Sequence, residues 1–386
     1  MAEPTDVAGR ALSSAREFSS SSHGGQLGRL DWLDTLRGLA VLFVFLLHAT
    51  LDVRRHLQTG TDAPIALDIF ASASFGFFDF GKIGVAIFFI VSGYLIPVTL
   101  DRSGNGVVRR FLVNRFFRLY PTYWVSILVL VIGATTALPL FQLLINLTML
   151  QRFVGVGDLN GVFWTLQIEL VFYALCVVLS LRGRLGDPAL LLRFIVVCAI
   201  LSIALAAVRW HLALKLPVAL FLALQLMFFG YLLRLRAVAE TGPPRERVAL
   251  AIVIGTLLLA CPLAYSRDYG FQESASRYIA SYVAATTIFL FALKFRWRNA
   301  LLAFIGRISY SFYLLHTIVI AAVASYFSDA RPVSERLSFL GFLIAAMAFT
   351  IVVSWISYRL VEMPAIEIGR ALNKSTDSSG TRAATP

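Results

Sequence analysis

The chain has 386 residues, 58% of them hydrophobic and only 15% charged. Soluble domains carry about 25% charged residues, so a water-soluble fold is excluded. The net charge of +12, set among apolar and aromatic residues, points to basic loops against anionic lipid head groups rather than to nucleic acid.

Residues 1–28 are polar and include the run Ser19-Ser20-Ser21-Ser22. That composition cannot bury a core and reads as a disordered tail. From there to residue 371 the apolar residues gather into runs near 20 residues, the length that crosses about 30 Å of hydrocarbon. The expected fold is an all-α polytopic membrane protein with ten transmembrane helices. They fall at about 33–51, 81–99, 121–138, 162–181, 190–208, 216–233, 247–265, 277–293, 300–327 and 338–360. The ninth is long enough to be tilted or broken. Residues 372–386 read as a second disordered tail. With both termini in the cytoplasm, most of the 34 Lys and Arg residues fall on the inner side, which is the positive-inside pattern.

The first helix opens Leu33-Asp34-Thr35-Leu36-Arg37 and reaches His48. Arg37 and His48 are 11 positions apart, so they share a helix face, offset by about 16 Å along the axis. Ionisable groups inside a bilayer are costly and mark function. The alternative is a histidine hydrogen-bonded to a neighbouring helix, with Arg37 snorkelling to head groups. The second helix carries Gly81 and Gly84, suited to close packing, and ends at Ser92-Gly93-Tyr94, where Ser92 and Tyr94 are placed to line a cavity. Next comes an arginine-rich loop from Arg109 to Arg118. Arg115 and Arg118 share a face if it is helical, and guanidinium groups suit phosphate; plain positive-inside anchoring explains the same charges. In the fourth helix Trp164 suits the interfacial belt. Glu169 lies about 8 Å deeper, near the level of His48, and is the candidate to orient it. Tyr313 and His316 follow in the ninth helix, either contacting substrate or hydrogen-bonded structurally. Pro364, after Glu362, reads as a helix stop. Cys176, Cys198 and Cys261 lie in or beside apolar runs with no metal or disulfide spacing and read as packing residues. No metal is implied.

Taken together these segments resemble the acyltransferase-3 family of bacterial integral membrane O-acyltransferases. The matching pieces are Arg37-Gly38-Leu39-Ala40 with His48, Gly84 to Phe89 with Ser92-Gly93-Tyr94, and Arg115 to Arg118 with Pro121. Phe163-Trp164-Thr165-Leu166 with Glu169, Ser309 to His316, and Glu362-Met363-Pro364 complete the set. The resemblance covers about residues 30–365. It implies transfer of an acyl group, acetyl first, from acyl-CoA to a hydroxyl of a sugar or glycoconjugate. The place is the bacterial cytoplasmic (inner) membrane, the partners are the lipid bilayer and a carbohydrate acceptor, and acetyl-CoA is the co-substrate. Some members carry an extra extracytoplasmic esterase-like domain; without it, transfer falls to the membrane domain or to a separate partner. On this reading Arg37, Arg115 and Arg118, with Ser92 and Tyr94, hold the donor. His48 is general base with Glu169 fixing its tautomer, or forms an acyl-histidine. A transporter of a lipid-linked sugar or acyl compound is the competing reading, since intramembrane His, Glu and Arg suit one too.

Overall fold

The computed structural model of the protein describes residues 31–57, 69, 71–73, 75–100, 106–133, 138–238, 245–266, 274–329 and 336–382. The expected tail at 1–28 and much of the outer loop at 52–80 lie outside these residues. Among the described residues all regular structure is helical: α1 (Asp31–Leu57), α2 (Phe80–Leu95), α3 (Val107–Gly133), α4 (Leu140–Leu147), α5 (Trp164–Leu181), α6 (Pro188–Leu212) and α7 (Val218–Val238). The chain continues with α8 (Arg245–Ala264), α9 (Ala275–Phe295), α10 (Ala300–Arg307), α11 (Ser309–Asp329), α12 (Arg336–Ser357) and α13 (Met363–Arg382). Among the described residues ten helical stretches are long and apolar enough to cross a membrane. The protein is an all-α polytopic membrane protein.

Among the described residues four helices start on side-chain caps, those of Asp79, Asp187, Ser274 and Asn299. Asp79 caps α2, accepting from the Lys82 N–H at 2.9 Å. Asp187 caps α6, accepting from the Ala189 and Leu190 N–H groups, with Pro188 next in the first turn. The Arg184 guanidinium 2.7 Å away, aided by those N–H groups, holds the Asp187 carboxyl below the usual carboxylate range.

Two elements depart from the sequence expectation, and the ninth segment takes one of its two expected forms. The arginine segment expected as a loop forms the opening turns of α3, which runs through Pro121. Proline is tolerated inside a membrane helix where neighbours take up the freed backbone groups. The carbonyl left over by Pro121 is that of Phe117, and two residues further on the Tyr310 hydroxyl donates to the Leu119 carbonyl at 2.8 Å, tying this turn of α3 to α11. The long ninth segment is broken: α10 ends at Arg307 and α11 starts at Ser309. Pro364 does not stop a helix. A single π turn at Tyr358–Glu362 shifts the register, and Pro364 then falls in the first turn of α13, where its missing N–H is harmless. The structured region therefore passes the expected limit of 371. Asn373 is buried and donates to the Arg110 carbonyl at 3.4 Å and to Asn114 Oδ1 at 3.0 Å.

α1 packs on α2, α10 and α11, while α2 also meets α7 and α9. Two glycine pairs permit the closest approaches. A Cβ on Gly38 would overlap the Leu302 carbonyl of α10, and one on Gly306 would overlap the Asp34 carbonyl of α1. Gly93 and Gly230 meet the backbones of α7 and α2 in the same reciprocal way. Small residues at such crossings let helix backbones meet without a hydrophobic driving force. Gly306→Val is expected to cut the yield of monodisperse protein on detergent size-exclusion chromatography. Gly255→Ala should not, because a Cβ there meets nothing within 4 Å. Equal yields for the two variants would contradict the packing role.

Candidate active site

α11 sets the geometry. Its residues from Tyr310 to Thr317 carry a run of polar groups, and each meets a different neighbour. Tyr310 reaches α3 at the Leu119 carbonyl. The Ser311 hydroxyl donates to Glu362 Oε2 at 2.8 Å. Tyr313 donates to the Val162 carbonyl at 3.0 Å and shares a 2.8 Å hydrogen bond with Thr165. Thr317 pairs with Asn160. Between them His316, wholly buried, faces His48 of α1, with Nε2 3.2 Å from His48 Nδ1. A bilayer leaves buried polar groups no water, so they must be satisfied inside the protein.

Beside this ladder lies a cavity of about 910 Å³, between α1, α2, α3, α5, α11 and α13. Arg37, Arg110, Arg115, Arg118, Arg370 and Lys374 line it, against one carboxylate, Glu169. The first turns of α3 supply Arg110, Arg115 and Arg118, the spacing that keeps them on adjoining faces of one helix. The Arg115 guanidinium is held over the Tyr173 ring at 5.3 Å and the Phe111 ring at 5.4 Å. Arg118 is 4.0 Å from Glu362, whose other oxygen takes the Ser311 hydroxyl. Arg37 lies 3.8 Å from Asp34. Glu169 Oε1 accepts from Tyr173 at 2.7 Å and from Ser92 at 3.2 Å.

Among the sequence-derived site residues the cavity brings together Arg37, Arg115, Arg118, Ser92, Glu169 and Tyr313. Three expectations change. Tyr94 is fully buried on the far side of α2, its ring 5.7 Å from Trp32 and 5.8 Å from Phe289, with Arg234 over its face. It follows Ser92 by two positions, which on a helix turns it to the opposite flank. Glu169 does not orient His48: its hydrogen bonds go to Ser92 and Tyr173, while the imidazole beside His48 is His316. His48 and His316 do not line the cavity themselves. Tyr313 does, with its ring 5.9 Å from that of His316 and 6.0 Å from Phe88. Trp164 stands outside the lining, edge-on to Phe89 at 6.4 Å.

The sequence reading missed Arg110, Arg370, Asn373 and Lys374. Ile366, Arg370, Asn373 and Lys374 stand at helical spacing on one face of α13, a signal present in the sequence but hidden by reading Pro364 as a terminus. The loop at 139–161 carries no motif, yet it is a built structure. Asp158 accepts from Gln151 at 2.7 Å, from Gln167 at 3.0 Å and from Arg152 at 2.6 Å. Asn146 bonds the Gly157 carbonyl and the Leu159 N–H.

Because the Tyr94 hydroxyl is buried with no hydrogen-bond partner and lies off the cavity, Tyr94→Phe is expected to leave turnover and the thermal midpoint unchanged. A turnover loss beyond about tenfold in Tyr94→Phe would return Tyr94 to the site.

An acyltransferase domain matches residues 30–359 of this chain. The chain is 26% identical over 327 residues to the exopolysaccharide production protein ExoZ of Rhizobium meliloti (strain 1021), covering 79% of this chain and 96% of that protein. It is 25% identical over 325 residues to the peptidoglycan O-acetyltransferase OatA of Listeria monocytogenes serovar 1/2a, covering 74% of this chain and 51% of that protein. A shorter match, 32% over 118 residues, is to nodulation protein 10 of Rhizobium leguminosarum bv. viciae, over 24% of this chain and 32% of that protein. No solved structure matches the chain significantly.

Proposed function

The chain belongs to the acyltransferase family whose domain spans residues 30–359, and on that premise we propose that this multi-pass membrane O-acyltransferase takes its acyl group from acyl-CoA and delivers it to a hydroxyl of a cell-surface polysaccharide or glycoconjugate. The convergence of six cationic side chains on one cavity carries this reading. Acyl-CoA brings a diphosphate and a further phosphate, too anionic for lipid, and guanidinium groups bind such oxygens in bidentate pairs. Arg37, Arg115 and Arg118 hold one part of that charge, and Arg110, Arg370 and Lys374 flank it. By the positive-inside pattern this end faces the cytoplasm, and both termini lie there. The site is thus reached by acyl-CoA from inside a bacterial cytoplasmic membrane.

The pantetheine arm runs along α1 from Arg37 toward His48, an offset of about 16 Å on a continuous helix. Glu169, already orienting the Ser92 and Tyr173 hydroxyls, offers an acceptor for the arm's amide N–H groups. Phe88 and Tyr313 close the deep end of the cavity, so the thioester reaches His48 when those rings turn aside. His48 is the general base. Its Nε2 takes the proton of the acceptor hydroxyl as that oxygen attacks the thioester carbonyl. The C–S bond breaks, and the departing CoA thiolate takes the proton back from His48. The two polysaccharide-linked names among the relatives support a carbohydrate acceptor arriving from the outer face.

Membranes holding the full-length chain are expected to move label from radiolabelled acetyl-CoA into the polysaccharide fraction. His48→Ala should lower that transfer by about 10²- to 10⁴-fold at equal protein level. Arg115→Ala should raise the KM for acetyl-CoA by roughly tenfold or more, since a hydrogen bond to a charged group contributes about 1.5–3 kcal/mol. Wild-type transfer by His48→Ala would refute the base assignment, and an unchanged donor KM in Arg115→Ala would refute the phosphate assignment.

A further inference from the structure

Nδ1 of His316 faces carbonyl oxygens, Tyr313 O at 2.7 Å and Phe312 O at 3.2 Å. A carbonyl only accepts, so Nδ1 carries the ring hydrogen, and the neutral ring keeps its lone pair on Nε2. That lone pair stands 3.2 Å from His48 Nδ1. His48 Nδ1 is also 2.9 Å from the Val44 carbonyl, which requires a hydrogen there too. The opposite tautomer of either ring would set lone pair against lone pair at these contacts.

From this chain of contacts we infer that His316 is the positioning residue of the transfer reaction, holding His48 as the Nδ1–H tautomer so that Nε2 carries the basic lone pair. When Nε2 takes up the acceptor's proton, His48 becomes an imidazolium, and its Nδ1–H becomes a stronger donor to His316 Nε2 and the Val44 carbonyl. No further proton has to move. The inference rests on the His48 base proposed above and gives His316 the orienting role expected of Glu169. An imidazole suits this place better than a carboxylate, which would bring a net charge into a wholly buried site. The His316 ring is also held against rotation. Its own Nδ1 is bonded to two carbonyls, while Tyr313 before it and Thr317 after it are tied to Val162 and Asn160.

The test uses membranes with the full-length chain, acetyl-CoA as donor and the endogenous polysaccharide as acceptor. His316→Phe removes the acceptor atom, and kcat is expected to fall by about 10²- to 10⁴-fold, the range of a lost or mis-set general base. The KM for acetyl-CoA should change less than threefold. His316→Gln returns an oxygen near the place of Nε2 and should recover most of the kcat; His316→Asn, whose oxygen reaches only the level of Nδ1, should not. Full activity in His316→Phe overturns the inference. So does equal activity of the Gln and Asn variants, a comparison that still decides if the Phe variant does not insert. A loss in all three that appears mainly as a raised donor KM assigns His316 a packing role and overturns it as well. Inactive His48→Ala beside active His316→Phe removes this inference alone; active His48→Ala removes the base reading beneath it.

Discussion

Hydrocarbon offers no hydrogen bonds, and α11 carries its polar side chains straight through it. Such groups need protein partners, and from Tyr310 to Thr317 each polar side chain finds one on another element: the α3 backbone, Glu362, the turn before α5, α1, and the loop at 139–161. That requirement turns one helix into the hub of the molecule. It fixes the rotation of α11, and so fixes which imidazole faces His48. It also ties Asn160 and Val162, at the end of the 139–161 loop, to the turns of α11 on either side of His316. An apolar α11 would pack as tightly but would leave those neighbours unaligned.

The same logic separates the two halves of the site. Cationic groups gather around one cavity at one end of the bundle. The histidine pair lies deeper, behind Phe88 and Tyr313. A donor with a charged head and a long uncharged arm is the kind of molecule that spans such a gap. The glycine crossings matter here for a geometric reason. By letting α10 lie against the opening turns of α1, Gly38 and Gly306 bring the start of α11 close enough for His316 to reach His48.

The arrangement at the C-terminal side depends on a small register change. A π turn at Tyr358–Glu362 rotates the chain by an extra residue and buries Glu362 beside Ser311 and Arg118. Beyond it α13 continues with Ile366, Arg370 and Lys374 facing the cavity. π turns inside helices often mark functional places, and this one positions both a carboxylate on Arg118 and a cationic helix face.

Much of the architecture was legible in the residues alone. Apolar runs near 20 residues located the ten membrane segments, because bilayer thickness and helix rise leave little freedom. The spacing of Arg37 and His48 placed both on one face of α1, because that is a property of a single helix. A proline misled at Pro364: its missing N–H commonly ends a helix, but the register shift of the π turn before it absorbs the loss here. What only the tertiary structure decided were the partners. His48 meets an imidazole 268 residues away rather than Glu169, and Tyr94 turns from the cavity into the core. Such pairings depend on how helices rotate and cross, and local periodicity carries no information about a contact between segments so far apart along the chain.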